Sequence, residues 1–305
     1  MKEAPERVRI GNRTLELSNL SKVFYPATGF TKRDVIDYYR AVGPVVVSHL
    51  RERPLTLKRY PDGVEGNFFY EKRCPPYRPA WIKTVTMRRK RDEKDIEFCS
   101  LSNVAGLVWT ANLANLELHT SLARARDLRR PTAVVFDLDP DPQVGMIGCV
   151  EVALWLKKLL DRMNLESWPK TSGSKGLQIF VPLNTKVTYD ETGPFALAVA
   201  RTVEAEHPDK VITKMKKELR VGKVFIDWSQ NDDHKTTVCV YSLRARERPT
   251  VSTPVEWGEV RTALKKQDPK RLEWQSAEVL RRIERSGDLF APVLNLRQQL
   301  PDPPE

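Results

Sequence analysis

Apolar and polar positions along the chain repeat with two different periods, and the switches between them predict a mixed α/β protein. Residues 8–17, VRIGNRTLEL, alternate about a Gly11-Asn12 turn and predict a hairpin. From Thr31 the period lengthens. Thr31 and Asp34 form a helix-start signature, Val35, Ile36, Tyr38, Tyr39 and Val42 share one face, and Gly43-Pro44 predicts an interruption. Residues 53–60, RPLTLKRY, alternate again before the Pro61-Asp62-Gly63 turn. Strands are predicted at 82–87 and 96–101 around the charged tip RRKRDEKD, followed by an apolar helix at 103–118 that delivers His119. Residues 132–140, TAVVFDLDP, read as a buried strand, and 150–163 as an amphipathic helix. A polar glycine turn, SGSKG, then leads into the strand LQIFVPL, a helix at 194–206, and the strands KVFID and VCVYSLRARE. From Thr253 the pattern predicts short helices and a peripheral, frayed tail ending in LPDPPE.

Composition narrows the partners. The 305 residues hold 51 Lys and Arg against 40 Asp and Glu, a net charge of +11 that favours a polyanionic ligand. Cys74, Cys99, Cys149 and Cys239 lie far apart without CxxC spacing, and there are four histidines. This predicts isolated reduced thiols in a cytoplasmic protein, and argues against zinc and against a disulfide framework. The N-terminus shows no apolar signal segment, and no apolar run reaches the roughly 18 residues that span a bilayer.

Candidate chemistry concentrates on a few motifs. Asp137 and Asp139 stand two apart on a strand, so both point to the same side, and a divalent cation would relieve their repulsion. KVFID ends on Asp227, the third carboxylate that a two-cation site would need. Ser172 to Gly176 supply small residues and Lys175 for phosphate contact without the spacing of a Walker A loop; an ordinary β-turn is the plainer alternative. Lys32 falls in the first turn of a helix, where free N–H groups favour an anion, and Asn19 and Lys22 precede it on a loop able to fold back; solvated lysines are the alternative. Phe68 and Phe69 lie near Lys58, Arg59, Lys72 and Arg73, which suits either base stacking or core packing. Lys214, Lys216, Lys217, Arg220 and Lys223 make the densest basic cluster.

In this order the pieces resemble the polymerase module of bacterial ligase D, a branch of the archaeo-eukaryotic primase superfamily acting in non-homologous end joining. The resemblance runs from LSNLSKVFYPATGFTK to the segment after YSLRARERPT, and rests on VVFDLDP, TSGSKGL and VFIDWSQN together. It implies an α+β primase-polymerase fold, with two central sheets, an RRM-like catalytic part and flanking helices. One domain over 1–305 would divide into an N-terminal lobe to about 130, a catalytic part to about 250 and peripheral C-terminal helices.

The resemblance also implies roles for residues. Asp137, Asp139 and Asp227 match a metal triad for two Mn²⁺ or Mg²⁺ ions, and His119, Ser172, Lys175, Gln230 and Arg244 match positions around the incoming nucleotide. Gln178 stands where many members have histidine, which removes a charge from the triphosphate's surroundings. Asn19, Lys22 and Lys32 match a pocket for the 5′-phosphate, Phe68 and Phe69 a pair that stacks on or wedges against the template, residues 83–94 a synapsis loop, and Lys217 and Arg220 part of a basic loop, while Lys58 is a candidate DNA contact from its place beside the aromatics. The implied activity is DNA-dependent nucleotidyl transfer from NTP or dNTP, extending or filling DNA ends with a ribonucleotide preference, and with primase or terminal transferase activity. Implied partners are 5′-phosphorylated DNA ends, a Ku-like protein, a DNA ligase and a second copy across a synapse. Two other classes compete: a non-catalytic end-bridging module, and a two-metal nuclease or phosphoesterase.

Overall fold

The computed structural model describes residues 3–88 and 94–304. Two sheets dominate it. One has five strands in the order Trp168–Thr171, Leu177–Pro182, Ala133–Pro140, Val224–Asp227 and Val211–Ile212, antiparallel except for the last pair. The other is ordered Thr237–Val238, Asn115–Thr120, Leu55–Arg59, Asp95–Ser100 and Lys83–Arg88, with Phe69–Glu71 also paired to Leu55–Arg59.

The apolar run of the aspartate strand is continuous because both of its faces are covered. Val134, Phe136 and Leu138 pack with Leu177, Ile179 and Val181 beneath the helices Gly145–Arg162 and Tyr189–Glu206. Ala133 and Val135 face the other way, into a second core with Leu55, Leu57, Leu116 and Leu118 and the helices Lys32–Leu50 and Val104–Asn112. Asp137 and Asp139 share the parity of that second row, so they emerge where the contact between the two sheets opens into a cleft.

Several expectations change, and VCVYSLRARE is not a strand beyond the short pairing of Thr237–Val238 with Asn115–Thr120. The apolar stretch from residue 103 is not one helix: Val104–Asn112 is helical, Ala114 turns left-handed at φ 62°, and Asn115–Thr120 is a strand paired to Leu55–Arg59. The alternation NLELHT carried that signal, with Leu116 and Leu118 buried in the core. The first long helix runs through Gly43-Pro44 to Leu50, because Val46, Val47 and Leu50 continue its buried stripe. Gly43 serves packing there: a Cβ would meet Val104 Cγ1 at 2.8 Å, where two helices approach closely. Finally, Cys74 and Cys99 form a disulfide, since the backbone N–H of Cys74 donates to Glu97 O at 2.7 Å and brings the loop onto the Cys99 strand. Cys149 and Cys239 are free and buried, as expected of isolated thiols.

The C-terminal segment does not fray. Val260, Ala263 and Leu272 enter one core, Val279, Phe290 and Val293 the other, and Gln298 N donates to Leu183 O at 3.0 Å. No helix among the described residues is long and apolar enough to cross a membrane.

Candidate active site and nucleic-acid interface

Strand register builds the centre of the site. Lys170 pairs with Gln178, Gln178 with Asp137, and Asp137 with Asp227, so one row of polar side chains crosses four strands. Directly opposite residues lie on one face, about 5 Å apart at Cβ. Burial first and the Asp139 charge second push the Asp137 carboxyl up to about 7. Burial and then Asp227 raise Asp139 as well. Asp227 is engaged by its own turn: Oδ1 accepts from Ser229 N at 3.0 Å and Ser229 Oγ at 2.6 Å, and Oδ2 from Gln230 Nε2 at 2.8 Å.

Among the described residues no group of three His, Cys, Asp or Glu is gathered as a metal site. The chemistry of the donors nevertheless fits a hard divalent cation. They are carboxylate oxygens whose mutual repulsion, visible in the raised Asp137 and Asp139, such an ion would relieve.

The SGSKG turn lies flat against this row because of its glycines. Gly173 has φ +67°, and a Cβ there would meet Val251 C at 2.6 Å; a Cβ on Gly176 would meet Leu138 O at 1.8 Å, on the aspartate strand itself. The N–H groups of Ser174 and Gly176, offered by the sequence to a phosphate, donate instead to Ser172 Oγ at 3.2 and 3.1 Å. What the turn presents outward is the exposed Lys175. Gly176→Ala is expected to cost about 3 kcal/mol, read as a lowered urea midpoint, because the new methyl must displace backbone. An unchanged midpoint would show that the turn can lift off Leu138.

A cleft of about 530 Å³ lies between the sheets, and its walls include Asp137, Asp139, His119, Ser172, Lys175, Gln178, Gln230 and Arg244. With Lys72, nine residues singled out from the sequence therefore meet in one volume. Arg244 donates through Nη1 to Ser172 O at 2.5 Å, anchoring it on the SGSKG turn. Burial holds His119 below the ordinary histidine range, against the opposing pull of Glu117.

Two residues of the site were missed in the sequence. Lys170 is fully buried behind the carboxylates, donates to Gln178 Oε1 and, at 2.7 Å, to Ser252 Oγ, and is pushed down to about 7 by burial. Gln178 Nε2 in turn donates to Thr237 Oγ1 at 3.0 Å. Glu117, beside His119 in the LELH alternation, is buried with its carboxylate among cations. A charged side chain at a strand position two before a site residue was the available signal.

Comparison with known proteins decides the family. The LigD primase-polymerase domain profile matches residues 31–290. The chain belongs to the LigD primase-polymerase family. It is a nucleotidyltransferase of that class, with the archaeo-eukaryotic primase fold. It is 40% identical over 293 residues to the multifunctional non-homologous end joining protein LigD of Mycolicibacterium smegmatis, covering 95% of this chain and 36% of that protein. To the bifunctional LigD of Bacillus subtilis it is 32% identical, over 82% of this chain and 40% of that one. The chain thus spans 28–40% of the length of the curated relatives it matches. A solved structure, the polymerase domain of Mycobacterium tuberculosis ligase D in complex with DNA, superposes with a TM-score of 0.84 at 39% identity, covering 92% of this chain and 98% of that one.

The remaining residues suggested by the LigD resemblance lie outside the cleft walls. Loop 18–22 does fold back onto the helix start: Lys32 N donates to Lys22 O at 2.8 Å, Arg33 N to Leu20 O at 3.0 Å, and Lys32 Nζ to Ser18 O at 2.6 Å. Asn19 turns that loop at φ 53°. The helix-end N–H groups of Lys32 and Arg33, expected to be open to an anion, are therefore capped by the loop's carbonyls, while Lys22 Nζ pairs with Asp62 at 2.7 Å. Phe68 and Phe69 are both outside the core, at 50% and 44% exposure. Lys58 Nζ lies 4.4 Å from the Phe68 ring centroid, and Arg59 lies 5.2 Å from that of Phe69. In the basic loop, Lys217–Arg220 is a short 3₁₀ turn whose Arg220 stacks 3.6 Å over Phe225 and donates to Met215 O at 2.6 Å. Of the 83–94 loop, residues 89–93 lie outside the described residues.

Proposed function

We propose that the chain carries out template-directed nucleotidyl transfer at DNA ends, filling gaps and extending primers in double-strand break repair. The observation that carries this is the cleft, where carboxylates face the cations Lys175 and Arg244 across a space that admits a nucleoside triphosphate.

Asp137, Asp139 and Asp227 would hold divalent ions, Mn²⁺ or Mg²⁺. A metal bound there supplies Lewis acidity to the primer hydroxyl and neutralises charge on the triphosphate. The chain's own groups do the rest. Lys175 and Arg244 orient the phosphates, Ser172 fixes the turn that carries Lys175, and Gln178, held by Lys170, contributes an uncharged amide. Gln230 steadies Asp227, and His119, which lines the same cleft, would act near the nucleotide and the primer terminus. Phe68 and Phe69, backed by Lys58, form a platform for template bases. Asn19, Lys22 and Lys32 receive the 5′-phosphate of the downstream strand, and Lys217 with Arg220 reaches the backbone. A preference for ribonucleotides, primer-independent synthesis, a Ku-like protein and a ligase as partners, and pairing of two copies across a break belong to the same reading.

Extension of a labelled primer on a gapped duplex tests it, with and without the 5′-phosphate, with NTP or dNTP, and with Mn²⁺ or Mg²⁺. Lengthening stimulated by the phosphate is the expected result. Tight phosphate-dependent binding without lengthening would support the end-bridging alternative, and shortened products a nuclease.

A further inference from the structure

Glu117 is almost fully buried, at 2% exposure. It sits on the strand Asn115–Thr120, where Leu116 and Leu118 face the core and Glu117 and His119 face the other way. Its Oε2 meets His119 Nε2 at 2.9 Å, Arg244 Nε at 3.4 Å and Lys58 Nζ at 3.6 Å. Its Oε1 accepts from Ala245 N at 3.0 Å. Glu117 does not line the cleft, so it has no path to a bound nucleotide except through the groups it holds.

Two of those groups, His119 and Arg244, line the cleft, and Lys58 lies at the DNA-end surface. Arg244 leads by way of Ser172 O to the SGSKG turn, and Lys58 leads to the exposed ring of Phe68. A buried carboxylate shared by two long cationic side chains fixes both, because moving either one leaves charge uncompensated in a low dielectric. A carboxylate facing the triphosphate itself would repel it, which accounts for its place one layer back.

We infer that Glu117 is a positioning residue that orients Arg244 toward the incoming triphosphate and Lys58 beneath the aromatic platform, linking nucleotide binding to the DNA-end surface. This deepens the function proposed above and rests on its assignment of Arg244.

The test uses the full chain with Glu117→Gln, Arg244→Gln and the double variant. Glutamine keeps the size and the acceptor for Ala245 N, removes the charge, and turns the oxygen facing His119, Arg244 and Lys58 into an NH2 donor. Glu117→Gln is expected to raise KM for the nucleotide about tenfold, as loss of a buried ion-pair contact to Arg244 does, with kcat within about twofold. In the Arg244→Gln background the same change should add less than about twofold. Affinity for 5′-phosphorylated gapped DNA should fall by about threefold through Lys58, and the thermal midpoint by at most about 5 °C, because the cations around residue 117 lose their carboxylate.

KM effects that multiply in the double variant, or a loss of kcat and thermal midpoint with KM unmoved, would overturn the role of Glu117. An unchanged KM in Arg244→Gln alone would overturn the nucleotide assignment of Arg244, a separate result. If Glu117→Gln does not fold, Lys58→Met tests the same link with the carboxylate intact. Lys58 also lies outside the cleft walls, so a shift of about threefold or more in nucleotide KM is expected through Glu117, and no shift would refute it.

Discussion

Asp137→Asn is expected to abolish primer extension, by at least about a thousandfold, while making the metal-free protein more stable at pH 8. Both effects follow from one observation: the folded chain raises this carboxyl to about 7, with burial as the first cause and Asp139 as the second. The folded state therefore holds the proton more tightly than the unfolded state, whose aspartates titrate near 4. The destabilisation is absent below about pH 4, grows as pH rises, and is complete above about pH 7. Asparagine removes the charge at every pH and keeps the shape. The gain at pH 8 is read as a rise in the thermal midpoint that is smaller at pH 5. Thermal melts in chelator at pH 5 and pH 8, alongside extension assays, read both sides. An equal gain at the two pH values would show that charge is not the cause, and retained extension would remove Asp137 from the metal site.

Lys22→Ala combined with Lys32→Met is expected to weaken binding of gapped duplex bearing a 5′-phosphate about thirtyfold, against about threefold for the 5′-hydroxyl form. The geometry explains why two lysines are needed. Lys22 is exposed and shared with Asp62, whereas Lys32 is buried and aimed at Ser18 O. Burial and then Lys22 lower Lys32 to about 8. Its charge is present below that value and lost above it, so the wild-type preference for phosphate should decline as pH rises from 7 to 9. A bound phosphate favours the charged form and moves the midpoint upward, so the decline in the complex is centred above 8. Fluorescence anisotropy on the paired substrates measures the preference. Equal weakening on both substrates, or a preference unchanged across that range, would remove Lys32 from the phosphate pocket.

Much of the site was legible because it is written in local patterns. TAVVFDLDP has period two and apolar residues on both faces, which predicts a central strand that ends on two carboxylates on one side. VFID and SGSKG are equally local, and the structure brings Asp137, Asp139, Lys175 and Gln178 to one cleft with Asp227 in register beside it. The capping box at Thr31 and Asp34 likewise needs only four residues, and both of its hydrogen bonds are present.

Other features depended on partners remote in the chain. Glu117 draws its meaning from Lys58 and Arg244, and Lys170 from Gln178 and Ser252, none of which spacing reveals. Gly43-Pro44 reads as a helix end until Val46, Val47 and Leu50 find a core to bury in. Cys74 and Cys99 read as isolated until the loop's hydrogen bond to Glu97 brings them together. By itself the sequence determined the aspartate strand, its carboxylate pair and the SGSKG turn, because side-chain parity is a property of a few consecutive residues. Only the tertiary structure decided which charges are paired, buried or shared, because that depends on which strands and loops become neighbours in the folded chain.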